Sequence, residues 1–383
     1  MKNKYSYIVL VVFIASSYFY RCNAQVDGEI THSGVVLDSL TMAKDSVNIF
    51  KPTFNVYPYA FYSPETALAF GAGGIYVFYT AKDSISYPSK LGFGGYYSTL
   101  KNYKISVNPA LYFFDNTLFV RAPVSYGFFS DKFWGQGDST PETGNEAYTR
   151  QDFSATLYIQ SPPLVFSADR SGLVVDYNYT EIIDRKENQI LTDSTLVGVD
   201  GGAILGIGVD LTWENRDNIF FPNSGGYQYF RFSYYPTLSS NYKFVDIELD
   251  VRKYWAIKKD HVFATNFYLN AVSGDVPFYK LPALGGSKRM RGYFYGRYRD
   301  NFYAMLQAEY RQYFWRRWGF VAFAGVGNVA SELIEYDFGT LKYNFGAVLR
   351  FQFNKEQKIN LRADFGFGQD GNMGVYFGIE EAF

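Results

Sequence analysis

The sequence predicts an all-β fold: a 16-stranded antiparallel transmembrane β-barrel whose sixth extracellular loop folds into the lumen. Three observations support this prediction. Aromatic residues make up 20% of the 383-residue chain. Apolar residues alternate with polar or small ones over long stretches, and the connections between these stretches alternate between short and long. Together they describe strands with one face in lipid and one in water, joined by tight turns at one end.

The charge balance and the rarity of certain residues narrow the function. The chain has 36 basic and 37 acidic residues, for a net charge of −1, so nucleic acid is not an expected partner. It contains a single Cys and two His. We therefore expect no metal site, no cofactor and no catalytic centre.

The first 24 residues have the organisation of a secretory signal peptide. Lys2 and Lys4 precede a largely apolar stretch at 5–20, and Cys22-Asn23-Ala24 supplies small residues for cleavage before Gln25. The alternative is a buried N-terminal helix or a membrane anchor. Residues 25–52 are polar and aperiodic, which predicts a short periplasmic tail or plug, and 53–383 are expected to form one barrel domain.

The strand prediction rests on a period of two. In LKYNFGAVLRFQF, residues 341–353, the odd positions are apolar or aromatic and the even positions polar or small, with one exception at Val348. Sixteen segments of this kind follow from residue 54: 54–61, 66–80, 90–99, 103–114, 117–129, 148–160, 164–180, 200–214, 226–236, 242–256, 261–273, 301–314, 318–329, 340–353, 358–368 and 373–383. Most reach the roughly 9–11 residues that a tilted strand needs to cross a bilayer.

The connections give an independent indication. If the first strand runs outward, the turns on the periplasmic side are mostly short, whereas the outer side holds the long loops near 130–147, 181–199, 274–300 and 330–339. This asymmetry is typical of barrels in the Gram-negative outer membrane. The alternative is a soluble β-sandwich or propeller, in which shorter strands would carry mixed charges on a solvent face. The closing strand places Val375, Phe377, Ile379 and Phe383 on one face, and a terminal Phe is a common signal of outer-membrane barrels.

The loop at 274–300 holds most of the functional information. It contains six basic residues and two acidic ones, together with Gly285-Gly286 and Arg291-Gly292-Tyr293. We expect it to enter the lumen, where carboxylates of inward-facing strand positions would hold its arginines. The candidate partners are Glu309, Asp364, Asp246, Glu248 and Asp250. The alternative is a solvated loop that binds lipopolysaccharide phosphates.

Four ordered motifs resemble the BamA/TamA outer-membrane protein-assembly family, the bacterial surface-antigen barrels. They are LGGSKRMRGY in the sixth outer loop, WENRDNIFFPNSG at 213–225, FAGVGNV at 323–329, and the closing NLRADFGFG and YFGIEEAF. A weaker likeness, FYSPETALAFGAGG, lies near residue 61. In the family the loop arginine contacts acidic strand residues, which implies this role for Arg291 and Glu309. The family commonly has Asp where this chain has Gly325, so Asp364 becomes the alternative anchor.

The resemblance implies assembly, insertion or translocation of proteins at the outer membrane without ATP or cofactor. Most family members carry periplasmic POTRA modules, which the sequence is predicted to lack. The expected partners are outer-membrane lipids, lipopolysaccharide, nascent outer-membrane proteins and envelope lipoproteins. A weak seam between the first and last strands would open laterally, with Pro52, Pro58, Gly374, Gly378 and Phe383 as the seam residues.

Two other functions remain open at this point. The first is a passive outer-membrane channel or a barrel scaffold for another envelope complex. The second is an outer-membrane enzyme, but His32 lies in the N-terminal tail and His261 at a periplasmic turn, without an evident Ser or Asp partner. We therefore predict that the protein is not an enzyme.

Overall fold

The computed structural model describes residues 52–80, 87–162, 167–193, 195–218, 221–237, 242–354, 359–379 and 381–383. The predicted signal peptide and all but the last residue of the predicted tail lie outside these ranges. Sixteen antiparallel strands form one closed sheet, in which each strand pairs with its neighbours in the chain and the last pairs with the first. The predicted all-β barrel of 16 strands is therefore confirmed.

The strands begin and end within a few residues of most of the predicted segments. They are β1 Thr53–Ser63, β2 Ala67–Phe78, β3 Ser89–Ser98, β4 Tyr103–Phe113, β5 in two parts, Leu118–Arg121 and Val124–Lys132, β6 Ala147–Ser161, β7 Arg170–Asp184, β8 Gly202–Glu214, β9 Gly225–Tyr235, β10 Phe244–Lys258, β11 His261–Gly274, β12 Phe302–Trp315, β13 Trp318–Ala330, β14 Lys342–Asn354, β15 Ile359–Gly368 and β16 Met373–Ile379. The described parts of the loops contain three short 3-10 helices, at Gln189–Thr192, Phe278–Lys280 and Leu333–Glu335. No described helix is long and apolar enough to cross a membrane.

Three strands differ from the prediction. The fifth is interrupted at Ala122-Pro123, because Pro123 has no N–H to give to the ladder. The seventh starts at Arg170 rather than 164 and runs on to Asp184; Ser167, just before it, has a left-handed backbone (φ 54°) that suits a turn. The last ends at Ile379, so Phe383 lies beyond it.

Side chains alternate along the strands between the lumen and the outer surface. On β12, Tyr303, Met305, Gln307, Glu309 and Arg311 are buried, whereas Leu306, Tyr310 and Phe314 are exposed on the other face. We refer to the two ends of the barrel as the short-turn end, which includes the two-residue turns after β10 and β12, and the long-loop end. The connection from Asp275 to Asn301, after β11, is the sixth at the long-loop end and is called loop 6 below.

Candidate functional site

Loop 6 is shaped by a short hairpin and by glycines. Ala283–Leu284 pairs with Tyr298–Arg299, which brings the two arms of the loop together. Gly285 and Gly286 follow the first arm with φ angles of 112° and 98°, a region that residues with a Cβ rarely adopt. The segment between the arms carries Arg291 to the inward faces of the strands.

Arg291 occupies the centre of this site. Its Nη1 donates to Oδ2 of Asp364 on β15 at 2.8 Å, and its Nη2 donates to Oε1 of Glu309 on β12. The guanidinium carbon lies 3.7 Å from the centre of the Phe323 ring on β13. The side chain is only 1% exposed, and both carboxylates are buried as well. Burial lowers the pKa of Arg291, but the charges of Glu309 and Asp364 outweigh it and leave that pKa above its ordinary value.

Strand arginines surround the same two carboxylates. Arg311 contacts Glu309 at 2.8 Å, and Arg362 contacts Asp364 at 2.8 Å. Arg350 lies 3.8 Å from Glu309 and pairs with Glu381. The sequence placed Arg311, Arg350 and Arg362 on inward positions but gave no reason to connect them with loop 6. A Cβ added to Gly325 would lie 2.6 Å from Oδ1 of Asn344, and Arg291 is held by both Glu309 and Asp364.

The backbone of loop 6 packs directly on β15. A Cβ added to Gly292 would lie 2.9 Å from the backbone nitrogen of Phe367, and one added to Gly366 would lie 2.7 Å from the carbonyl oxygen of Arg291. The Tyr293 ring fills the space that a side chain at Gly368 would need. Glycine is therefore required on both sides of the contact, because the two backbones approach too closely for a Cβ.

Hydrogen bonds connect the same segment to β14 and β16. The Asn344 amide donates to the Arg291 carbonyl at 2.8 Å. The Tyr376 hydroxyl on β16 accepts from the Gly292 N–H at 3.1 Å and donates to the Tyr293 carbonyl at 3.3 Å. Tyr376, which sequence reasoning missed, thus links loop 6 to the strand that closes the barrel.

The remaining candidate carboxylates bind other groups. Asp250 pairs with Arg289 of loop 6 at 3.0 Å, while Asp246 and Glu248 pair with Arg231 of the neighbouring strand β9 at 3.0 and 3.2 Å. Among the described residues, Asp246 and Glu248 pair with a strand arginine, so these two of the five candidate partners do not hold a loop arginine. The reason is the strand register: Arg231 lies directly opposite Glu248 in the β9–β10 pairing, beside both carboxylates.

At the long-loop end, loop 6 packs against two other loops. Arg297 donates to Glu142 at 3.0 Å, the Gly137 N–H donates to the Arg299 carbonyl at 2.8 Å, and the Phe278 N–H donates to the Val197 carbonyl at 2.9 Å. Arg297 and Arg299 are buried like Arg291. These three guanidinium groups face protein rather than solvent, which argues against the solvated loop.

The seam between β1 and β16 is much shorter than its neighbours. Among the described residues its register contains one pair, Tyr62 with Phe377, whereas β1 and β2 pair along all eleven residues of β1. Residues 53–58 of β1, including Pro58, are exposed. Gly374 and Gly378 lie in β16, whose ladder with β15 has seven pairs.

Phe383 does not lie at the seam, contrary to the prediction. It is buried beside Tyr254, Val262 and Ala264 on the inner face of β10 and β11, and its backbone oxygen accepts from Nη2 of Arg311 at 2.9 Å. Phe383 lies inside the barrel because the lumen offers an arginine and an apolar pocket there. The period of two could not indicate this, since it assumes that the strand continues.

The two histidines were the candidates for a catalytic or metal-binding role. His261 is partly buried at a short turn, and its Nδ1 lies 2.5 Å from the Tyr310 hydroxyl; His32 lies outside the described residues. Within the described ranges, no group of His, Cys, Asp and Glu side chains has the arrangement of a metal site.

Comparison with known proteins gives a consistent result. A family model described as the Omp85 superfamily domain matches residues 88–383. BamA from Haemophilus ducreyi, in a form lacking POTRA domains 1-3, is similar in structure, with a TM-score of 0.61 and 15% identity over 86% of this chain and 70% of that chain. CdiB from Acinetobacter baumannii has a TM-score of 0.55 and 11% identity over 86% of this chain and 59% of that chain. At these identities the likeness concerns the fold alone. No curated protein sequence matches the chain.

Proposed function

The chain belongs to the Omp85 superfamily, an integral barrel of the outer membrane, and from this premise we propose that it is of the BamA/TamA type and assists the insertion or translocation of proteins. The observation that carries the proposal is the seam, where one register pair among the described residues closes a barrel whose other strands are extensively paired. Its clients would be nascent outer-membrane proteins, with outer-membrane lipids, lipopolysaccharide or envelope lipoproteins as further partners.

The seam offers an edge to an incoming strand. In lipid, each backbone N–H or C=O group without a hydrogen-bond partner costs roughly several kcal/mol, because no water can replace the missing bond. The exposed stretch 53–58 of β1 is therefore stabilised by any strand that pairs with it, which is β-augmentation. No energy source other than this pairing and the burial of the client in lipid is required.

Loop 6 would set the position of the other edge. Tyr376 of β16 bonds to Gly292 and Tyr293, and Arg291 fixes the same segment to β12 and β15. The ion network thus stiffens the wall that leads to the seam. In this mechanism Arg291, Glu309 and Asp364 are positioning residues, and no step requires catalysis, a metal or a cofactor.

The test is a reversible lock across the seam. Tyr62→Cys with Phe377→Cys would place two thiols at the one paired position, and Leu306→Cys with Val326→Cys provides a control lock within the β12–β13 ladder, also on the outer surface. Folding of a urea-unfolded eight-stranded barrel into proteoliposomes would be followed by its shifted migration on gels.

We expect the unlocked protein to accelerate folding over empty liposomes, the oxidised seam lock to abolish the acceleration, and reduction to restore it. The control lock should have no effect. Equal activity of the oxidised and reduced seam variants would exclude lateral opening, and no acceleration by the unlocked protein would exclude assistance of insertion.

A passive channel is the second candidate, and one observation favours it. A cavity of about 270 Å³ lies inside the barrel between strands β4–β7 and loop 6, lined by Lys104, Arg150, Asp152 and Lys280 among others. This part of the lumen is not filled by the arginine network. A large and steady conductance in planar bilayers would support a channel, whereas brief and small openings are expected of a barrel held closed by loop 6.

A further inference from the structure

Two neighbouring turns at the short-turn end carry four cations. Lys258 and Lys259 lie at the turn after β10, and Arg316 and Arg317 form the turn after β12. All four side chains are exposed. We call these residues and the aromatic side chains beside them the basic–aromatic patch.

The two turns are held side by side by the sheet. His261 at the start of β11 is the register partner of Gln312 on β12, and the Tyr313 N–H donates to the Asp260 carbonyl at 3.1 Å. The four cations therefore form one cluster rather than two separate pairs. Their relative placement follows from the ladder, not from loop conformation.

The cluster has a net positive charge that the described residues do not neutralise. Asp260 is the one acidic residue within the two turns, which leaves a charge of +3. Among the described residues, which exclude the adjoining turn at 355–358, no carboxylate forms an ion pair with any of the four cations. An anionic partner would reduce their mutual repulsion.

Large apolar side chains adjoin the cations on the outer surface of the barrel. Trp255, Ile257, Phe263, Phe314 and Trp315 are all between 38% and 58% exposed. The Arg316 guanidinium carbon lies 5.5 Å from the centre of the Trp315 ring. Aromatic residues at this height of a membrane barrel sit among lipid headgroups, so the cations beside them are at the level of the phosphates.

We propose that the basic–aromatic patch binds the phosphate headgroups of anionic phospholipids in the leaflet at the short-turn end. The continuity of the cations with the lipid-facing surface favours a lipid over the acidic surface of a protein partner. The site lies outside the loop 6 network and the seam, and the proposal does not depend on the function proposed above.

The chain contains its own reporter for the test. Three of the five tryptophans, Trp255, Trp315 and Trp318, lie at the patch. The barrel would be reconstituted in two sets of phosphatidylcholine vesicles. One set contains a small fraction of brominated phosphatidylglycerol, and the other contains the same fraction of brominated phosphatidylcholine. The quenching of tryptophan fluorescence would be compared between the two sets. We expect several-fold stronger quenching by phosphatidylglycerol, and high salt should weaken it.

The decisive variant carries Lys258→Gln, Lys259→Gln, Arg316→Gln and Arg317→Gln. Its preference for phosphatidylglycerol should fall by roughly ten-fold or more, because each cation near an anionic lipid surface contributes appreciably to the attraction. Lys101→Gln with Lys186→Gln, exposed at the long-loop end, is the control and should keep the preference. Shifted migration on unheated gels would verify folding.

Two outcomes would overturn the proposal. One is quenching by the unmodified protein that follows the bulk lipid composition, as a patch for an acidic protein partner would give. The other is a folded quadruple variant that keeps the preference. If the quadruple variant does not fold, the variant with Lys258→Gln and Lys259→Gln, together with the salt dependence of the unmodified protein, decides the question in the same way.

Discussion

Removing Glu309 should destabilise the barrel more than removing Arg291. Without Arg291, Glu309 still has Arg311 at 2.8 Å and Asp364 still has Arg362 at 2.8 Å, so no carboxylate is left alone. Without the Glu309 charge, Arg291 and Arg311 each lose a partner in a buried site. Breaking a buried pair from one side costs about 3–5 kcal/mol when the remaining charge is uncompensated. We therefore expect about 5 kcal/mol for Glu309→Gln and less than about 3 kcal/mol for Arg291→Met, which leaves both carboxylates paired.

The assay is urea-induced unfolding in phospholipid vesicles, followed by tryptophan fluorescence and by migration on gels. Arg185→Met is the control, because Arg185 and its partner Asp200 are 33% and 84% exposed and their pair should contribute less than about 1 kcal/mol. Equal midpoints for Arg291→Met and Arg185→Met would contradict the claim that loop 6 is held by buried charges. If the Glu309→Gln variant were more stable than the Arg291→Met variant, the argument from unpaired buried charges would be refuted.

Two further predictions concern packing. Gly292→Ala should destabilise the barrel by clearly more than Gly137→Ala in the same unfolding assay. Both glycines have φ near +115°, but an added Cβ meets the β15 backbone at Gly292 and nothing within 4 Å at Gly137. An equal loss of stability in the two variants would mean that loop 6 does not pack on β15. Phe383→Ala should lower the free energy of unfolding by about 3–5 kcal/mol, because it removes a buried aromatic side chain. Phe338, which is 77% exposed, is the control, and Phe338→Ala should change the unfolding midpoint little. An unchanged midpoint for Phe383→Ala would place that ring outside the lumen.

The strands could be predicted because their physical cause is local. Along β12 and β14, alternate residues must suit lipid and lumen, and this requirement is written in the sequence at every second position. The same periodicity assigned Glu309 and Asp364 to the inner face. It also assigned Asp246 and Glu248 to the inner face. The face of a strand does not determine which side chain a residue contacts, however, and these two pair with Arg231 on the adjacent strand.

The interruption at Pro123 and the inward turn of Phe383 show the limit of the same signal. Proline was visible in the sequence, but the interruption of the strand also depends on the position of Ala122-Pro123 opposite Asn108-Pro109 in β4, since neither proline has an N–H to donate. Phe383 shares the parity of Phe377 in the chain, yet it leaves the strand for a pocket beside Tyr254 and Arg311. That pocket is built from strand residues that lie at least 72 residues away in the chain.

The sequence by itself determined that this chain forms a barrel of 16 strands, which face of each strand meets water, and that a basic loop lies between the eleventh and twelfth. Only the tertiary structure decided which carboxylates hold Arg291, that Tyr376 ties the loop to the closing strand, and that the described part of the seam keeps a single register pair. Solvation acts on each residue separately and therefore leaves a periodic trace. Buried ion pairs and ladder closure depend on distances between strands that are fixed only when the whole barrel closes.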